Sequence, residues 1–391
     1  MKNHTISQSF SVRYNYPVHF TTHVFDINND LLYHLIGSQS TTYSKKILFV
    51  IEKIIDKIYP DIGHQISNYF RANLTHVQLC IPFIVVDGGE VSKNNPDLVH
   101  ELLSQINNHG IDRHSYIAVI GGGALIDVVG YAAAIAHRGV KLIRFPTTVL
   151  AQNDAAIGVK NSINYFGKKN FVGTFAPPHA VVNDDNFLSS LDIRDWRSGI
   201  AEAIKVALIK DAAFFEYIEA NVQKLVSRDM NTMQQVIEKC AALHLTHIAS
   251  GDPFESGSSR PLDFGHWSAH KMEQLSSYEI RHGEAVAMGM AMDAVYSHYI
   301  GWLPENVLIR ILEMILGLGF EIYHEVMSTK GKDGDLAIVS GLYEFREHLG
   351  GTLTIMLLQN IGNGVETHEM EVDIIIKSIG YLKNYTAKVA I

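Results

Sequence analysis

Through the first half of the chain, short apolar runs alternate with stretches of helical spacing. Residues 46–51 (KILFVI), 82–86 (PFIVV), 116–120 (YIAVI) and 141–145 (KLIRF) read as buried strands. Residues 96–107 and 125–136 lie between them and read as helices. Such alternation predicts a parallel sheet in an α/β layer. Beyond about residue 186 the texture changes. Residues 195–226, 232–249 and 283–301 are long, mostly apolar and poor in strand punctuation, so each is predicted helical. The expected architecture is an α/β N-terminal domain over residues 1–186 and a mainly α-helical C-terminal domain over 187–391. Few Gly or Pro residues separate the halves, which predicts close packing about a cleft, a favoured place for small-molecule sites.

At 391 residues the chain exceeds what one ordinary core organises, in keeping with two domains. A hydrophobic fraction of 47% with 19% charged residues suits a well-buried globular enzyme rather than a disordered or fibrous chain. The formal charge of −9, without a long Lys/Arg block, argues against nucleic acid or an anionic membrane as the main partner. Cys80 and Cys240 form no C-x-x-C pair, which disfavours a disulfide framework and a thiolate zinc site and predicts a reducing compartment. The N-terminus lacks an apolar signal region, and no stretch reaches the roughly 18 apolar residues that span a bilayer. A soluble, cytoplasmic protein is expected.

Gly121-Gly122-Gly123 follows a predicted strand and opens a predicted helix, with Asp127 and Gly130 further on. Glycines let backbone N–H groups approach a pyrophosphate, and a helix N-terminus favours its charge. Alone, three glycines describe a tight turn equally well. Glu52 ends an early strand, where a carboxylate can accept from a ribose diol. Gly88-Gly89-Glu90 with Lys93 adds a second glycine turn, and Thr147-Thr148 present hydroxyls after Pro146. All these sit where carboxyl ends of parallel strands gather ligands, and together they favour a nucleotide.

In the second half, His266 and His270 are four apart and share a helical face. With Glu202 they offer a two-His, one-carboxylate set that suits Zn²⁺ with an open position. The chain holds 20 histidines, however, so spacing alone favours a core or surface pair. Glu202 and Lys205 are three apart, as an intrahelical ion pair or as a buried acid and base facing a cleft; spacing leaves both open.

From Gly121 to about residue 290 the chain resembles the dehydroquinate synthase family of sugar phosphate cyclases. The carrying motifs are GGGALIDVVGYAAA, RGVKLIRFPTTVLAQNDAAIGVK from Arg138, KKNFVGTF from Lys168, GIAEAIK, FGHWSAHKME and HGEAVAMGM. The resemblance implies an N-terminal nucleotide-binding domain, a helical metal-binding domain and a homodimer. It makes Glu202, His266 and His282 the ligands of Zn²⁺, or of Co²⁺ or another divalent metal, and turns His270 into a substrate contact. It assigns NAD⁺ to Glu52, Gly89, Glu90, Lys93, Gly122, Gly123, Ala124, Asp127, Thr147, Thr148, Leu150, Asp154, Lys160, Lys169 and the turn from Phe187 to Ser190. Asp154, Lys160, Asn164, Lys205, His270 and Asp263 match active-site positions, and Arg138 one that reaches the neighbouring subunit's site. By the same resemblance, Asn164, Lys160, His270 and Arg138 are expected to form a phosphate cradle. The implied sequence is oxidation of a secondary hydroxyl by NAD⁺, β-elimination of phosphate, return of the hydride, ring opening and intramolecular aldol closure.

The chain departs from the family where three cations hold the substrate carboxylate. Those positions read Leu245, Ser259 and Glu347; Arg260 lies one residue late, and Asp263 stands where the family has Asn. Burying a carboxylate without cations costs several kcal/mol. The expected substrate is therefore a sugar phosphate without a carboxylate, such as sedoheptulose 7-phosphate, rather than that of a true 3-dehydroquinate synthase. The N-terminal QSFSVRYNYPVHFTTHVFD most resembles cyclases of bacterial ebo-type gene clusters. Ile126 and Val159 replace family glycines and crowd the cofactor loop. Two rivals remain. A metal-dependent polyol dehydrogenase usually has a Lys three residues after the loop Asp, where this chain has Gly130. A non-catalytic binding relative would not need the complete Glu202, His266 and His282 set.

Overall fold

The computed structural model describes residues 4–37, 44–250, 254, 262–331, 334–348 and 353–389. Ten strands are present among them: β1 Val18–Thr21, β2 Lys45–Glu52, β3 Val77–Val86, β4 Tyr116–Gly121, β5 Lys141–Pro146, β6 Lys160–Tyr165, β7 Lys168–Phe175, β8 Ala180–Asp184, β9 Ile355–Asn360 and β10 Asn363–Thr367. Six form one parallel sheet in the order β1-β8-β5-β4-β2-β3. Alternation along β2 decides its two faces: Leu48 and Val50 join one apolar cluster, while Ile47, Phe49 and Ile51 join the other. Both faces are covered, so β4 is buried along its whole length, as expected of a parallel sheet.

The predicted strands are all present, with β3 longer than its apolar run. Pro82 lies inside it, and a residue without an N–H is tolerated because β3 is the sheet's edge. The sequence reading did not identify the other edge, β1 and β8, nor the antiparallel hairpins β6–β7 and β9–β10.

In the second half the stretch read as one helix, residues 195–226, is three: Ile193–Lys210, Ala212–Ala220 and Val222–Val226. Asp211 breaks the first from the second, adopting an extended backbone while its side chain accepts from Phe214 N–H at 3.0 Å. Met230–Ile248 and His282–Tyr299 match the other expected helices. His282–Tyr299 is buried on nearly every side, which explains its lack of an amphipathic stripe. It centres a third apolar cluster that includes Trp196, Trp267, Leu312 and Leu357.

Candidate active site

Three helix segments bring Glu202, His266 and His282 together, with one donor atom from each within 4.8 Å of the others. Glycine makes that approach possible. A methyl group on Gly283 would sit 2.3 Å from the Ser198 carbonyl oxygen, so the close approach of the His282 helix to the Glu202 helix requires glycine at 283. Gly265, at φ +76°, turns the chain into the His266 helix, and its carbonyl oxygen would lie 2.1 Å from a Cβ at Gly289. Asp293 fixes this crossing by accepting from Gly265 N–H at 3.1 Å and Trp267 Nε1–H at 3.0 Å. Complete burial raises its pKa to about 7.

Glu202 is fully buried, and its Oε1 receives no hydrogen bond among the described residues. His266 Nε2 and His282 Nε2 stand 3.6 and 3.4 Å from Oε1, while Lys205 pairs with Oε2. Burial alone would raise the carboxyl pKa; Lys205 and His266 overcome that and hold it well below its ordinary value. Two imidazole nitrogens converging on an unsatisfied buried carboxylate oxygen fit a divalent cation. The alternative grouping, His270 with Glu273 and His282, shares one histidine with the first.

Glu273 ties this cluster to the α/β half. Its Oε2 lies 3.2 Å from His282 Nδ1, and its Oε1 accepts from Lys169 Nζ, on β7, at 2.9 Å. Burial opposes ionisation of Glu273, but His282 and Lys169 hold it well below the usual carboxylate range. A cavity of about 660 Å³ opens beside this bridge, lined by Lys168, Lys169, His270, Lys271, Glu344 and Glu347 among others. Glu344 pairs with Lys271 at 2.6 Å.

The predicted nucleotide residues gather along the carboxyl edge of the sheet. Glu52, at the end of β2, accepts from Gly122 N–H at 2.7 Å, and its carboxylate fills the space a side chain on Gly88 would need. Gly89 precedes the turn carrying Glu90 and Lys93. Lys93 is buried and bonds Asp127 at 2.6 Å and Asn170 at 2.5 Å. Gly123 and Ala124 begin helix Gly123–Ile135, and a Cβ on Gly123 would meet Ala155 at 2.9 Å. Thr147 N–H bonds the Gly121 carbonyl, and Thr148 Oγ1 accepts from Ala151 N–H. Leu150 backs onto Gly199, where a Cβ would lie 2.4 Å from its amide nitrogen. Phe187 is buried against Tyr59, and Ser190 closes its turn through the Phe187 carbonyl.

Of the predicted active-site residues, Asp154 and Lys205 meet, with Oδ2 4.0 Å from Nζ. Burial depresses the Lys205 pKa, but Glu202 and Asp154 raise it above the usual lysine range. His270 stacks beside His282, ring centroids 5.9 Å apart. Asp263 lies two residues before Gly265 and contributes to the field on Lys205. Lys160 opens β6. Asn164, also on β6, is engaged on the nucleotide side: its amide donates to Glu90 at 2.7 Å and Asn94 at 2.9 Å, and its oxygen accepts from Asn170 N–H. Arg138 sits before the start of β5, at the opposite end of that strand from Thr147, so one chain alone does not bring it to this site. Leu245 packs into the apolar cluster under the sheet. Ser259 and Arg260 fall outside the described residues.

Three residues with clear work here escaped the sequence reading: Glu273, Asp293 and Arg144. Glu273 stood in the FGHWSAHKME motif, three residues after His270 on the same face, and that spacing was its signal. Arg144 is fully buried in β5 and donates to the carbonyls of Ala156 and Gly158 and to Asn161 Oδ1, bracing the loop that leads to Lys160.

Residues 83–198 match the family described as 3-dehydroquinate synthase N-terminal, and residues 199–333 that described as 3-dehydroquinate synthase C-terminal. A 3-dehydroquinate synthase of Nitrosospira multiformis is 31% identical over 89% of this chain and 89% of its own. The structure of ValA, a 2-epi-5-epi-valiolone synthase of Streptomyces hygroscopicus subsp. jinggangensis with NAD⁺ and Zn²⁺ bound, is similar at TM-score 0.86 and 28% identity, covering 97% of this chain and 100% of that one. A 2-deoxy-scyllo-inosose synthase structure, complexed with carbaglucose-6-phosphate, NAD⁺ and Co²⁺, shares the fold at TM-score 0.76 and 23% identity, over 93% and 95% of the two chains. Among the described residues, no helix is long and apolar enough to cross a membrane.

Proposed function

The chain belongs to the 3-dehydroquinate synthase family, and from that premise we propose that it is an NAD⁺-dependent, divalent-metal-assisted cyclase of a sugar phosphate without a carboxylate, such as sedoheptulose 7-phosphate. The observation that carries this reading is the buried Glu202, His266 and His282 cluster, bridged through Glu273 to Lys169 at the nucleotide edge. Redox chemistry and a charge-stabilising cation are then adjacent, as transient oxidation and elimination require.

Glu202, His266 and His282 would hold the metal, and the glycine loop after β4 would hold the dinucleotide. When bound, these groups supply hydride acceptance and return, together with polarisation of the reacting oxygen. Asp154 and Lys205 lie beside the metal cluster and would hold the reacting hydroxyl in place, and His270, with Lys160, would contact the phosphate. The division at residues 186/187, a homodimer completed by Arg138 and a cytoplasmic location belong to the same reading.

Leu245, which packs into the apolar cluster under the sheet where the family has a cation, supports a substrate without a carboxylate. The name shared by the sequence relatives favours a second reading, a true 3-dehydroquinate synthase. Phosphate release from a sugar phosphate without accumulation of NADH is the expected signature. Stoichiometric NADH without phosphate would indicate a polyol dehydrogenase instead.

A further inference from the structure

We propose that His244 is a positioning residue that holds the Asp154 carboxylate toward Lys205. The helix Met230–Ile248 packs across the segment Ala151–Ala155 and brings His244 Nδ1 to 3.5 Å from Asp154 Oδ1. The other oxygen of Asp154 lies 4.0 Å from Lys205 Nζ, and Lys205 pairs with Glu202. The four side chains form a row that begins at His244 and ends at the metal cluster.

Nothing about this histidine suits simple packing. Its side chain is 8% exposed, and its Nε2 is buried without a hydrogen-bond partner among the described residues. An apolar side chain would fill the space without leaving a desolvated nitrogen. The adjacent Leu245 does so, packing into the apolar cluster under the sheet. Burial lowers the His244 pKa, so the ring is neutral and carries one N–H. Facing a carboxylate, that proton sits on Nδ1, because an acceptor there would oppose Asp154.

Asp154 lies between the two, with Lys205 Nζ 4.0 Å from one oxygen and His244 Nδ1 3.5 Å from the other. Its side chain is 30% exposed, so without His244 it can rotate toward water. Such rotation would misplace the hydroxyl it holds, a fault that lowers kcat more than substrate binding.

The kinetic consequence rests on the cyclase reading, so the test has an arm that does not. In the full-length protein, ¹⁵N-histidine spectra should show His244 as the Nδ1–H tautomer, with its signal identified by its loss in His244→Asn. Asp154→Asn should change that tautomer or its shift. In turnover, His244→Leu should lower kcat roughly 10- to 100-fold with substrate KM changed less than about threefold. His244→Asn, which returns a donor near Nδ1, should recover most of the loss, while melting temperatures stay close to the parent. An Nε2–H tautomer insensitive to Asp154→Asn, or a His244→Leu enzyme with parental kcat, would overturn the proposal. If no sugar phosphate is turned over, the cyclase reading fails, and the tautomer measurement still decides the His244–Asp154 contact.

Discussion

Glu273 Oε2 lies 3.2 Å from His282 Nδ1 and turns the ring's other nitrogen toward Glu202. A carboxylate on the far nitrogen of a metal-ligating histidine fixes its tautomer and raises its basicity. Glu273→Gln should therefore weaken Zn²⁺ binding by roughly 10- to 100-fold while leaving the fold intact. Competition titration against a chromophoric chelator reads this directly. An unchanged affinity would remove Glu273 from the metal's support.

Asp293 provides a pH prediction away from the ligands themselves. Burial raises its folded-state pKa to about 7 from an ordinary 3.8. A raised folded pKa means the native state binds the proton more tightly, so the contribution is full below pH 3.8 and is lost as pH rises through about 7. Asp293→Asn cannot titrate. Its stability relative to the parent should improve between pH 5 and pH 8, by an amount on the order of a few kcal/mol. Urea unfolding at the two pH values checks the sign.

Arg144 serves three acceptors with one planar guanidinium. Burial lowers its pKa to about 10, which still leaves it charged at neutral pH. Arg144→Lys keeps the charge but cannot reach all three acceptors, so it should destabilise the protein by about 2 kcal/mol or more. Thermal unfolding measures this. A melting temperature equal to the parent's would show that the brace contributes little.

The α/β half was legible because period and punctuation agreed. β4 reads as a continuous apolar run ending in glycines, and it is a strand buried on both faces. β1 was missed because its four residues carry no buried face. The single helix expected over residues 195–226 failed at Asp211, whose capping role depends on an extended backbone. At the site, the ordered motifs located Glu202, His266 and His282, whereas spacing alone had paired His266 with His270. Glycine explains the difference: Gly265 and Gly283 set helix crossings that no one-dimensional spacing encodes. His244 and Asp293 stayed hidden because their partners lie 90 and 26 residues away in sequence.

The central claim is best tested by phosphate release with NAD⁺ and Zn²⁺ from two substrates side by side: sedoheptulose 7-phosphate and the seven-carbon keto-acid phosphate of a true 3-dehydroquinate synthase. The account predicts turnover of the neutral sugar phosphate, a cyclised product and no net NADH. Robust turnover of the keto acid alone, with the neutral sugar phosphate inert, would contradict it.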